Sequence, residues 1–232
     1  MSPSPVSPTL LSEVDLREGA AALGVCLSPT QCQQLLDYGA LILKWSRIYN
    51  LTALHDPTQV LTHHLLDSLA VLPGLQRQWP GAGRLLDVGS GAGLPGVVIA
   101  IVRPDLIVVC LDAVAKKVAF IRQAALQLAL PNLRGEHARV ENLKGQYELI
   151  SSRAFATLDD FFSSSRHLLV PNGLWMAMKG KVPTEELARV PVDVDTFHVE
   201  QLQVPEAIGA RCVVWARPCG RPVKISANTQ VC

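Results

Sequence analysis

The amino-acid sequence predicts an α/β fold, a mostly parallel sheet covered by helices on both faces, with an N-terminal helical extension. Two observations carry this. From Gly83 onward, short unbroken apolar runs alternate with amphipathic helical patterns, as expected of strands buried on both faces. The first run ends in a glycine-rich turn, Asp87-Val-Gly-Ser-Gly-Ala-Gly-Leu-Pro-Gly96, that opens a helix. Before the break at Pro80-Gly-Ala-Gly83 the period is helical.

The elements follow in order. Residues 1–12 open with a Pro/Ser alternation that runs to Thr9 and read as a disordered tail. Residues 13–80 form a helical region with two well-signed starts: Ser28-Pro29-Thr30-Gln31 places Ser at the N-cap, Pro at N1 and Gln at N3, and Asp56-Pro57-Thr58-Gln59 repeats the arrangement. Leu35, Leu36, Ile42, Leu43 and Tyr49, and then Val60, Leu61, Leu65, Leu69 and Leu72, recur at helical spacing, so each helix has an apolar face that must pack on the core. Residues 81–217 form the sheet domain: strand 84–88, helix 95–102 stopped by Pro104, strand 106–111, helix 114–130, strands 132–137 and 147–151, helix 158–169, strand 174–178, and late strands near 197–202 and 212–216. Residues 218–232 read as a basic C-terminal tail.

Composition narrows the class. With 232 residues, 49% hydrophobic, the chain builds one large domain or a domain with an appendage. No apolar run approaches the roughly 18 residues that span a bilayer, and the start lacks a basic segment followed by an apolar stretch, so a cytoplasmic protein is expected. Six cysteines without CxxC spacing are read as free thiols. The net charge of +1 neither demands nor excludes nucleic acid, because a local patch suffices; four basic residues between Gln203 and Cys232 face only Glu206.

The turn carries the chemistry. Gly91, Gly93 and Gly96 satisfy GxGxxG, which keeps a nicotinamide-dependent oxidoreductase as an alternative. Asp87 disfavours it, because an acid at the first strand end repels a pyrophosphate but suits a cationic amino-acid moiety. S-adenosylmethionine (AdoMet) offers an ammonium, a sulfonium and an adenosine, and Asp112, closing the second strand, can accept hydrogen bonds from its ribose hydroxyls. Strand, acid, Gly89-Ser-Gly91-Ala-Gly93 turn, helix, strand and second acid describe such a site in order.

The stretch resembles the Rossmann-like class I AdoMet-dependent methyltransferases. The chain from about Leu35 to Val214 further resembles the RsmG/GidB family of bacterial 16S rRNA guanine-N7 methyltransferases, through Lys44-Trp45, Tyr49-Asn-Leu-Thr52, His64-Leu-Leu-Asp-Ser68, Asp87 to Gly96, Leu111-Asp112 with Lys116-Lys117, Arg139-Val-Glu141, Ile150 to Ala156, Lys179-Gly180 and Leu202 to Pro205. The resemblance implies that Gly89, Leu94, Val140, Glu141 and Arg153 hold the AdoMet co-substrate, with Arg153 at the cofactor edge where it positions the reacting groups. It also implies 16S rRNA or the small ribosomal subunit as partner, and one guanine near the decoding centre as acceptor. The sequence departs where the family has Arg and this chain has His63, and 218–232 matches only loosely.

The acceptor reading has independent support. The loop after the fourth strand is Ser152-Arg-Ala-Phe155, not the Asn/Asp-Pro-Pro-aromatic of exocyclic amine methylation, and no cysteine nucleophile lies between Cys110 and Cys212. Guanine N7 has a free lone pair and no proton to lose, so in-line transfer needs alignment and no dedicated general base. Phe155, Trp45, Trp175 and Trp215 are candidate stacking partners for a splayed base. His63 and His64 diverge on a helix, so no metal site is expected; His64 and Asp67 are expected to bond each other or the backbone. Lys179, Lys181 and the Arg211 to Lys224 cluster are candidate phosphate contacts. A monomer is expected, and a non-catalytic RNA-binding or assembly protein on the same fold is the alternative from another class.

Overall fold

A computed structural model describes residues 11–49, 51–153, 155 and 157–219. The Pro/Ser segment before residue 11 and the basic tail from residue 220 lie outside the described residues. The helical layer comprises α1 (Glu13–Ala22), α2 (Pro29–Tyr49), α3 (Pro57–Val60), α4 (Asp67–Leu69) and α5 (Leu72–Gln78), with a π-helical turn, Leu61–Leu66, joining α3 to α4. The starts form as the caps require. Ser28 Oγ accepts from the Gln31 N–H at 3.2 Å while Gln31 Oε1 accepts from the Ser28 N–H at 3.0 Å, a reciprocal capping box, and Asp56 Oδ1 accepts from the Gln59 N–H at 3.0 Å.

Seven strands follow: β1 (Gly83–Val88), β2 (Leu106–Asp112), β3 (Leu133–His137), β4 (Tyr147–Arg153), β5 (Leu169–Lys179), β6 (Val194–Gln201) and β7 (Cys212–Pro218). Helices α6 (Gly96–Val102), α7 (Ala115–Gln127), α8 (Leu158–Ser165) and the short α9 (Thr184–Leu187) connect them. The sheet order is β3-β2-β1-β4-β5-β7-β6, parallel except that β7 runs antiparallel to β5 and β6. Among the described residues no helix is long and apolar enough to cross a membrane.

One face packs on the helical layer. Leu16, Leu35, Ile42 and Leu65 share a buried cluster with Val97, Ile99, Phe120 and Trp215. On the other face Phe161 and Phe162 of α8 share a buried cluster with Trp175 of β5. Gln34 Nε2 donates to the Leu128 carbonyl at 2.8 Å, further tying α2 to the sheet's helices.

Some boundaries shift. The helix read as 114–130 ends at Gln127, and Ala129 turns left-handed (φ 51°) ahead of Pro131. The helix read to residue 169 stops at Ser165, gives one 3-10 turn, Arg166–Leu168, and yields to a β5 that begins at Leu169, five residues earlier than Leu174. Pro171 and Gly173 disguise this start as loop, yet a Cβ on Gly173 would meet the Glu148 carbonyl at 2.9 Å. Only glycine lets the two backbones pass that closely.

Candidate active site

The turn between β1 and α6 lies across the sheet's carboxyl ends, where open α/β sheets bind ligands. Gly89, Gly91 and Gly93 hold φ of 69°, 60° and 89°, conformations that side chains resist. Gly89 and Ser90 donate their N–H groups to the Leu111 carbonyl at 2.9 and 3.0 Å, which pins the turn to β2. From the helical layer, the enclosed Tyr38 hydroxyl donates to the Ala92 carbonyl at 2.6 Å.

Two cavities meet at Gly89. The smaller, about 250 Å³, is bounded by Asp112 at the end of β2, by Val140 and Glu141 in a 3-10 turn after β3, and by Phe155 after β4. Asp112 Oδ2 accepts from the Gly91 N–H at 2.9 Å and Oδ1 from the Val114 N–H at 2.8 Å, with Lys117 3.7 Å away. A carboxylate has about four acceptor sites, so these bonds leave capacity for a ligand hydroxyl. The larger cavity, about 420 Å³, is bounded by Leu94, Arg153, His63, Asp67 and Arg211, with Lys179 on its far wall.

The structure therefore brings Gly89, Leu94, Asp112, Val140, Glu141 and Arg153 to one double cleft. Gly91 and Gly93 shape the turn without lining either cavity. Asp87 requires a correction. The sequence places its carboxylate against a cationic ligand, but the residue is wholly enclosed beneath the turn. Oδ2 accepts from the Gly96 N–H at 3.0 Å and Oδ1 from the Ser151 hydroxyl at 2.9 Å. Burial pushes its pKa up to about 7, against the opposing pull of the Ser151 and Gly96 hydrogen bonds and the Arg153 charge. Asp87 thus fastens α6 and β4 to β1 instead of reaching the cleft.

His64 and Asp67 do not bond each other. A π turn holds more residues than an α turn, so three-residue spacing no longer shares a face. His64 Nδ1 faces the His63 carbonyl at 3.0 Å and must carry the proton, leaving Nε2 to accept from the Thr52 hydroxyl at 2.9 Å. Burial first, then the Arg153 charge, lowers its pKa to about 4, so the ring is neutral at physiological pH. Asp67 instead takes Arg153 and Arg211, a grouping the sequence reading missed.

Other expectations sort by burial. Trp175 and Trp215 are core residues and Trp45 packs on Phe120, which leaves Phe155 as the aromatic at the cleft. Lys179 pairs with Glu186 at 2.8 Å and lines the larger cavity, and the exposed Arg217 pairs with Asp195 at 2.9 Å. Cys26, Cys32, Cys110, Cys212 and Cys219 are free thiols. Among the described residues no group of three or more His, Cys, Asp or Glu side chains could hold a metal.

Sheet order and glycine turn define the class I methyltransferase fold, and solved structures agree. TrmN from Thermus thermophilus superposes with a TM-score of 0.53 at 17% identity, covering 68% of this chain and 53% of that one. A ribosomal protein L11 methylase from Lactobacillus delbrueckii subsp. bulgaricus gives 0.54 at 13%, covering 73% and 81%. At such identities the likeness is one of fold. Sequence goes further: the family model for rRNA small subunit methyltransferase G matches residues 31–214. Proteins named ribosomal RNA small subunit methyltransferase G from Acidovorax sp. (strain JS42) and Polaromonas sp. (strain JS666) are 57% and 58% identical over 213 and 210 residues, each covering 88% of this chain and 94% and 93% of the relative. The chain belongs to the small subunit methyltransferase G family.

Proposed function

We propose that the protein, acting in the cytoplasm as a monomer, transfers the methyl group of S-adenosyl-L-methionine to N7 of one guanine of 16S rRNA, on naked rRNA or the small ribosomal subunit. The observation that carries this reading is the double cleft itself, with one cavity on each side of Gly89 and Arg153 beside the junction.

The residues present fit the co-substrate. Asp112 offers acceptor capacity for ribose hydroxyls, the turn at Val140 and Glu141 borders the place of an adenine, and Phe155 supplies an apolar face. Gly89 leaves its side open, with Phe155 the nearest group, 3.9 Å from where a Cβ would stand. Leu94, Gly89 and Arg153 border the methionine end, with Asp87 holding the turn from below. When bound, AdoMet supplies an electrophilic methyl on its sulfonium. The protein's part is to orient the acceptor in line with it and to exclude water.

The bonding of the groups around the larger cavity suits guanine N7. The nitrogens of neutral His64 are occupied by His63 and Thr52, the Asp67 carboxylate is held by two arginines, and Lys179 is paired. A nucleophile with no proton to lose asks none of these groups to act as a base.

The test is methyl transfer from labelled AdoMet to small subunits lacking their N7-methylguanine, with the product mapped by borohydride and aniline scission. Cleavage at one guanine is expected, and Arg153→Ala should lower turnover about a hundredfold while the fold survives, the range for loss of a positioned charged group. AdoMet binding by calorimetry without incorporation into subunits or rRNA would overturn the acceptor and favour a non-catalytic RNA-binding role.

A further inference from the structure

Asp67 is nearly enclosed, at 4% exposure, and divides its carboxylate between two cations. Oδ2 accepts from Arg153 Nη1 at 3.1 Å, and Oδ1 accepts from Arg211 Nε at 3.0 Å. The two arginines arrive from different parts of the fold. Arg153 ends β4, one residue past the Ser152 that pairs with Val88 at the threshold of the glycine turn. Arg211 lies just before β7, where its carbonyl accepts from the Leu202 N–H at 2.8 Å on the far wall of the larger cavity. Arg153 Nη1 is fixed a second time by the His63 carbonyl at 3.0 Å, within the π turn that precedes Asp67. One helical segment thus offers a carbonyl and a carboxylate to the same guanidinium.

Two guanidiniums that share a carboxylate repel each other once it is neutralised, and bonds between ionised partners in a partly enclosed site are the strong ones. Both side chains remain partly open, 23% for Arg153 and 26% for Arg211, so they border the cavity while the aspartate stands behind them. Two cations against one anion leave a single uncompensated positive charge on that wall, suited to an anionic group of the ligands. We propose that Asp67 is a positioning residue that locks Arg153 and Arg211 into one unit, so that the cofactor side and the acceptor side of the cavity are set together. The proposal rests on the AdoMet reading of the cleft for its readouts.

Two measurements test it, AdoMet affinity by calorimetry and methyl transfer to unmethylated small subunits, each in a double-mutant cycle. Asp67→Asn keeps the shape and removes the charge; kcat/KM should fall at least tenfold in the wild-type background and less than threefold in an Arg153→Lys background. Equal losses in both backgrounds overturn the proposal, because a carboxylate that only supports the fold does not depend on which cation faces it. Should Asp67→Asn fail to fold, Arg211→Lys serves instead. It should weaken AdoMet binding severalfold in the wild type and leave it unchanged once Arg153→Lys is present, and unchanged affinity in both backgrounds refutes the coupling. Because AdoMet affinity is read without RNA, a failure of the acceptor assignment and a failure of the Asp67 coupling give different results.

Discussion

Asp87 and His64 are held in opposite protonation habits, and the consequence is a stability profile that hides two large effects. Asp87 is pushed from 3.8 up to about 7 by burial. As pH rises from about 4 to 7 the unfolded chain gives up this proton while the native state keeps it, so the native state binds more protons and its stability falls. At 1.36 kcal/mol per unit this is on the order of 4 kcal/mol. His64 is lowered from 6.5 to about 4. Here the unfolded chain binds the proton first, so stability falls as pH drops from 6.5 to 4, on the order of 3 kcal/mol. The windows overlap and the signs oppose, so the pair nearly cancels in the wild type.

Asp87→Asn separates them. The amide oxygen accepts from Gly96 and the amide nitrogen donates to Ser151, so both hydrogen bonds have replacements without a buried charge. Urea denaturation from pH 4 to 8 should show the variant as stable as the wild type or more so at pH 7, and losing ground to it steadily toward pH 4 as the His64 effect stands uncovered. His64→Gln should do the reverse, gaining on the wild type as pH falls through 6. A constant difference between Asp87→Asn and wild type across the range would refute the buried-carboxylate argument.

Two further substitutions probe the turn itself. Gly96→Ala places a methyl against Cys110 Sγ and 2.9 Å from Asp87 Oδ2; both atoms belong to the sheet, so a cost of about 1–3 kcal/mol and a melting temperature lower by several degrees are expected in a thermal scan. Tyr38→Phe leaves the enclosed Ala92 carbonyl without its 2.6 Å donor, at about 1–3 kcal/mol, and calorimetry should find weaker AdoMet binding because that carbonyl belongs to the turn.

The parts of this fold that were legible before any coordinates are those encoded locally. Strands buried on both faces are unbroken apolar runs, so β1 and β2 fall within a residue of their expected bounds, and the Ser28 and Asp56 caps state their helix starts in four residues each. What stayed hidden depends on long-range geometry. Asp87 at a strand end looks available to a ligand, and only the packing of α6 and β4 around it shows that it is wholly enclosed, with both oxygens bonded inward. The π turn has no spacing signature, and within it His64 takes the backbone partner, the His63 carbonyl, and not Asp67. The Asp67 partners lie 86 and 144 residues away in the chain, beyond any periodicity or motif.

Those distant partners also bear on what the N-terminal helices are for. An appended layer that merely shielded the sheet would need apolar contacts and nothing more. Here α2 reaches the glycine turn through Tyr38, and the segment from His63 to Asp67 supplies both anchors of Arg153. Lys116 at the start of α7 donates back to the Tyr49 carbonyl at 3.2 Å, so the layer is held from the second βα unit as well. The same hydrophobic cluster runs through both parts without a gap. The sheet supplies the smaller cavity from residues at and after the ends of β1, β2, β3 and β4, whereas one wall of the larger cavity comes from the helices. The division at residue 80 separates two periods in the sequence, but it does not divide the site, because the groups that hold Arg153 and those that line the cavity beside it come from both sides of that line.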